Sequence, residues 1–194
     1  GASAQATWSV SYALCNDTSA IGTSSVAMCG VAGIGNPRFG ANSVAGYSIA
    51  MGQSAQVLAG ATSGFSIGQG AQVAVNATNA IALAGNAIAA GNAAVAIGSK
   101  ANATGAQATA LGSNSTAIGS NSLAWGQLAK AIGGNSVALG NNSFAGTTSN
   151  TALSNQVAIG SAANAINQST TAIGNNANAL GNSSVAIGVG AVAG

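Results

Sequence analysis

The run AVAIGSKANATGAQATALGSNSTAIGSNSLAWGQLAKAIGGNSVALG, from Ala94 to Gly140, decides the fold. It divides into seven-residue units closed by Gly98, Gly105, Gly112, Gly119, Gly126, Gly133 and Gly140. Two residues before each glycine stands an alanine (Ala96, Ala103, Ala110, Ala117, Ala124, Ala131, Ala138). Two residues earlier comes another small side chain (Ala94, Ala101, Ala108, Ser115, Ser122, Ala129, Ser136). A fixed period sets the architecture ahead of local propensity. The first and third positions share one face of an extended strand, the second and fourth the other. A helical heptad is excluded. It needs large aliphatic side chains at its core positions, and each interior glycine would cost about 1 kcal/mol. Each unit therefore reads as a five-residue strand ended by a turn, with glycine supplying a positive φ.

Two such strands folded back to back make a coil of fourteen residues. Stacked coils form an all-β solenoid, a parallel β-roll whose strands pair in register about 4.8 Å apart. The small face points into a narrow interior. Asn121 and Asn135 are placed to stack as an amide ladder, whereas Asn114 faces Leu128. The outward faces differ. Val95, Ile97, Leu111, Leu123, Trp125, Val137 and Leu139 form the candidate subunit interface on one side, where Thr109 also lies. Asn102, Thr104, Thr116, Ile118, Lys130 and Ile132 lie on the other and are expected to face solvent. An alanine interior removes little apolar area, at roughly 25 cal/mol per Å². Self-association through the apolar side would supply the rest.

The strings NSVALG, NSTAIG and SVAIG, recurring with ANATG and ANALG, resemble the head repeats of YadA-like trimeric autotransporter adhesins. The likeness is cleanest over 91–140 and 156–188. It implies a left-handed parallel β-roll, a homotrimer packed around an axis, and extracellular display on a bacterial outer surface by type V secretion. It also implies binding to an extracellular matrix protein or other surface, and autoaggregation. The neck, coiled-coil stalk and anchor barrel of that family have no counterpart here. The expectation is therefore a head fragment or a secreted subunit held by something else. The alternative is a structural subunit of a secreted fibre or sheath, able to polymerise. Near-absence of charge and apolar residues on both outward sides favour that alternative. A flat ice- or crystal-binding face would want a regular threonine array, and Thr104, Thr109 and Thr116 are patchy.

Composition narrows the classes further. Of 194 residues 48% are hydrophobic, mostly alanine, with 29 glycines and only 2% charged, against about 25% in ordinary domains. The charges are Arg38, Lys100, Lys130 and Asp17, and there is no histidine. Nucleic acid, which needs clustered cations, is not an expected partner. No catalytic, cofactor or metal site is expected, because paired carboxylates and a histidine base are both missing. The apolar stretch Asn79–Gly98 is interrupted by Asn79, Asn86 and Asn92, so no membrane span is expected there. No signal peptide is visible; GASAQATW reads as a mature end after cleavage.

Along the chain, residues 1–48 read as an irregular cap with the first coils, and 49–194 as the regular roll. Trp8, Tyr12, Phe39, Tyr47 and Phe65 lie early. They are expected to plug the open end of the solenoid, with an exposed aromatic patch as the functional alternative. Cys15 and Cys29, fourteen apart in ALCN and AMCG, should stack on adjacent coils within reach of a disulfide; two stacked free thiols are the alternative. GIGNPRFG, Gly33–Gly40, should leave the roll as a loop, with Arg38 and Phe39 as a candidate partner contact. From Gly52 to Asn76 the unit lengthens to eight residues. Around Phe144–Gln156 one residue is lost, and a local kink or turn change is expected. About fourteen coils fit the chain on this count.

Overall fold

The computed structural model describes residues 4–7, 10–14, 18–28, 40–147 and 152–194. The chain is an all-β parallel solenoid of about 12 turns with coils of about 14 residues. It folds as two compact units, Gly1–Lys100 and Ala101–Gly194. The Cys15–Cys29 pair and the Arg38–Phe39 pair lie outside the described residues, as does Trp8.

In each unit strands of three residues alternate along the chain with strands of two. The longer ones pair with one another, and so do the shorter ones, always in parallel. In Gly1–Lys100 the long strands run from Tyr12–Leu14 to Val95–Ile97, and the short ones from Gln5–Ala6 to Ile88–Ala89. In Ala101–Gly194 the long strands run from Thr109–Leu111 to Val185–Ile187, and the short ones from Asn102–Ala103 to Val192–Ala193. Register follows the period read from sequence. Thr109 pairs with Leu123 and Leu123 with Val137, each fourteen residues on. The eight-residue units give sixteen-residue coils, with Ile49 on Phe65 and Phe65 on Ile81.

Longer coils account for a turn count below fourteen. Val26 pairs with Ile49, 23 residues on. Val137 pairs with Val157, 20 residues on, and Phe144 with Asn164 likewise. The break after Phe144 is thus one coil enlarged by six residues, not a kink between regular heptads. Its hydrogen bonds show how it rejoins the stack: Asn155 N–H donates to the Gly134 carbonyl at 2.9 Å.

The interior is the small-residue lining that the period predicts. Ala94, Ala96, Ala101, Ala103, Ala108, Ala110, Ala117, Ala124, Ala131 and Ala138 are all fully buried. Serine replaces alanine at some first positions, and its hydroxyl reaches the preceding turn at Ser115 and Ser136 but has no partner at Ser122. Ser115 Oγ donates to the Gly112 carbonyl at 2.8 Å, and Ser136 Oγ to that of Gly133 at 2.6 Å. In the sixteen-residue coils the lining changes in a compensated way. Val57 and Val73 are fully buried, and Gly64 makes room for them. A Cβ at Gly64 would lie 2.9 Å from Val57 Cγ1 and 3.2 Å from Val73 Cγ1.

Turns carry a correction. Most regular turns close with a backbone bond to the glycine carbonyl, as from Ser115 N–H to Gly112 at 3.2 Å. The left-handed residue common to all of them is the second after the glycine, such as Asn114, Asn121 and Asn135 (φ 56, 56 and 53). That is the third place of a type II turn, where asparagine or glycine is favoured. Gly112 itself has φ 129, but Gly119 is not left-handed. Gly119 is needed because a Cβ there would collide with the Gly133 carbonyl of the next coil. Close stacking of turns, not the sign of φ, demands glycine at such sites.

Candidate functional site

Among the described residues no group of three or more metal-ligating side chains occurs. What the coils do present is two repetitive outward faces, and their chemistry differs.

The long-strand face of Ala101–Gly194 holds two columns. One runs Thr109, Leu123, Val137, Val157, Thr171, Val185; the other runs Leu111, Trp125, Leu139, Ile159, Ile173, Ile187. The alternation of the strand forces this outcome. With small residues turned inward, every second and fourth residue must point out. The same face of Gly1–Lys100 carries Ile49, Phe65, Ile81 and Val95 in one column and Met51, Ile67, Leu83 and Ile97 in the other. Trp125 is 55% exposed, and Ile97 and Ile67 are also exposed.

The seven residues singled out from sequence all lie on these faces: Val95 and Ile97 in the first unit, and Leu111, Leu123, Trp125, Val137 and Leu139 in the second. Further members escaped the sequence reading, among them Phe65, Ile67, Val157, Ile159 and Ile187. They carry the same second-and-fourth phase, but longer coils interrupt the count before each group. The described early aromatics do not plug the roll. Tyr12, Tyr47 and Phe65 are exposed, and Tyr12 and Phe65 stand on outward positions of long strands.

The short-strand faces are more polar. Gln56 and Gln72 occupy one column in the first unit, and Asn102, Thr116 and Lys130 one in the second. Lys130 and Lys100 are exposed, as expected. Ile132 is not: it is 2% exposed. The enlarged coil causes this, since the chain at Gly146 runs against Ile132 and Gly133, and Gln156 packs at Gly133. Amide ladders line the polar edges. Asn121 Nδ2 donates to Asn135 Oδ1 at 3.3 Å, as the spacing predicts. Gln69 to Gln53 (2.9 Å) and Gln72 to Gln56 (3.1 Å) do the same at sixteen-residue spacing.

The stretch Asn79–Gly98 forms the strands Ile81–Leu83, Ile88–Ala89 and Val95–Ile97. Asn79, before the first of them, and Asn86, between the first two, are left-handed turn residues. Among the described residues no helix is long and apolar enough to cross a membrane.

These features define the class: a parallel β-roll with a small-residue interior and one apolar outward face. Residues 89–115, 112–143 and 165–191 match the YadA head domain repeat in its two-copy form. Together with the solenoid, these repeats fit the head of a YadA-like trimeric autotransporter. No curated protein matches the chain. The match suggests an adhesin-type role with self-association, surface binding in general and extracellular display.

Proposed function

We propose that this chain is the adhesive part of a surface-displayed homotrimer. Its long-strand faces pack against identical copies, and its short-strand faces and turns meet the target surface. The observation that carries the reading is the apolar long-strand face. Its register columns hold almost no polar side chain, yet in a single chain Trp125 is 55% exposed. Fully burying one large apolar side chain contributes about 1.5–3 kcal/mol, and every long strand of Ala101–Gly194 offers at least one. Copies of the same chain are the fitting occupant, because a parallel repeat matches itself coil for coil. A surface with a net charge of only +2 offers no electrostatic barrier to that association. Val95, Ile97, Leu111, Leu123, Trp125, Val137 and Leu139 are the proposed interface.

Adhesion would then be distributed over repeated polar side chains rather than placed in a pocket. Extracellular matrix protein is the proposed target, and contact between displayed heads the proposed route to clumping. Beads coated with the full chain test this. Retention on matrix-coated glass above that on albumin-coated glass, together with bead clumping, is expected. Equal retention on both, with dispersed beads, would overturn the proposal.

A further inference from the structure

The short-strand face of Ala101–Gly194 is interrupted by a hollow of about 350 Å³. It lies where the strands Phe144–Ala145, Asn164–Ala165 and Asn178–Ala179 run side by side, with Phe144 paired to Asn164 and Asn164 to Asn178. Its walls are made by Phe144, Ile166, Asn142, Asn164, Asn178 and Thr147. The enlarged coil creates it. At Gly146 the backbone adopts φ 112 and departs from the path that the equivalent residues of neighbouring coils follow. The regular heptads on either side have no such departure.

The wall chemistry is specific. One aromatic ring and one isoleucine give an apolar side; three carboxamides and a hydroxyl give a polar one. None of the lining residues is charged. Asn164 Oδ1 is buried with no hydrogen-bond partner, an acceptor that a ligand hydroxyl can satisfy once the carboxamide turns about its last torsion. Asn42 and Asn102 carry the same orphan oxygen at the same strand position, but neither lines the hollow. The unpaired acceptor thus recurs at this strand position in three coils, and at Asn164 the enlarged coil gives it an opening and an aromatic neighbour, while Asn178 beside it donates its Nδ2 to the Asn176 carbonyl at 2.8 Å.

We propose that this hollow binds a neutral saccharide. A pyranose ring has an apolar C–H face for Phe144 and a rim of hydroxyls, each both donor and acceptor. Carboxamides are the side chains that meet such a rim in both senses. An anionic ligand would find no cation here, and an acyl chain would desolvate the three amides without replacing their hydrogen bonds. The volume is at the small end of ligand sites, which run from roughly 300 to 1,000 Å³, and suits a single ring or the end of a chain. The proposal stands on the hollow alone and is independent of whether the chain trimerises or adheres to matrix.

Saturation-transfer NMR on the full chain tests it, with glucose, galactose, N-acetylglucosamine and maltose each at millimolar concentration. At least one of them should show saturation of its ring protons. Phe144→Leu and Asn164→Ala should each remove most of that signal, while Asn102→Ala, equivalent in register but outside the hollow, should leave it intact. Should Phe144→Leu fail to fold by its melting curve, Asn178→Ala takes its place with the same expected loss. No signal from any of these sugars overturns the proposal. So does a signal that survives in a folded Phe144→Leu or Asn178→Ala variant.

Discussion

The long-strand and short-strand sides of each unit share one interior and differ in what they show the outside. Ala110 and Ala117, one on each kind of strand, are both fully buried, and each is flanked by outward residues. For Ala110 these are Thr109 and Leu111 and for Ala117 Thr116 and Ile118, a near match; the sides part at Leu123 and Trp125 on a long strand against Asn102 and Lys130 on short ones. The coil geometry differs a little between the sides, with three-residue strands on one and two-residue strands on the other, but strand length does not set their polarity. The inequality is written in the second and fourth positions, which are free to vary without disturbing the roll. Small inward residues thus hold the fold, and outward residues set the chemistry of each face.

Substitution at adjacent positions breaks that comparison most sharply. Ala110→Leu places extra methylenes where Ala110 meets Ala124 in the stack. It should cost about 3 kcal/mol or more, or abolish folding, because overpacked interiors cannot relax. Thr109→Leu, one residue earlier and facing out, should change stability by under about 1 kcal/mol. Thermal melts of the two variants compare inside with outside directly.

Turn stacking comes next in size. Gly119→Ala should cost about 2 kcal/mol, because the new methyl meets the Gly133 carbonyl of the following coil. A denaturant midpoint unchanged from wild type would show that the turns have room to part. Smallest is Ala84→Gly. Ala84 occupies a glycine slot with φ 97. Relief of left-handed strain is worth about 1–2 kcal/mol, less about 0.4–1 kcal/mol of added unfolded-state freedom. A net gain of about 0.5 kcal/mol is expected in urea unfolding.

How far the molecule was legible in its residues follows from the same division. Strict heptads reveal the interior, the parallel register and the apolar side, because each depends only on spacing. The Asn121–Asn135 ladder was visible for that reason. Ile132 was not: its phase says outward, and only the enlarged coil beside Gly146 buries it. The role of Gly119 was hidden because a lone turn gives glycine a sufficient reason in φ, whereas its true constraint comes from a carbonyl fourteen residues away. The hollow at Phe144 and Asn164 was hidden twice over. Its walls come from three coils, and the residues that open it sit where the period fails. Tyr12 and Phe65 were misjudged by size, since bulk suggested a plug while their strand phase points them outward.

Sedimentation analysis of the wild-type chain beside Trp125→Asp and Ile118→Asp tests the central claim, that the long-strand side is where copies meet. Both residues are exposed in the single chain, at 55% and 39%, so burial within one roll does not distinguish them. The account predicts a wild-type particle of three times 18.0 kDa, preserved in Ile118→Asp and reduced to smaller species in Trp125→Asp. A monomeric wild type, or an assembly lost with Ile118→Asp and kept with Trp125→Asp, would contradict it.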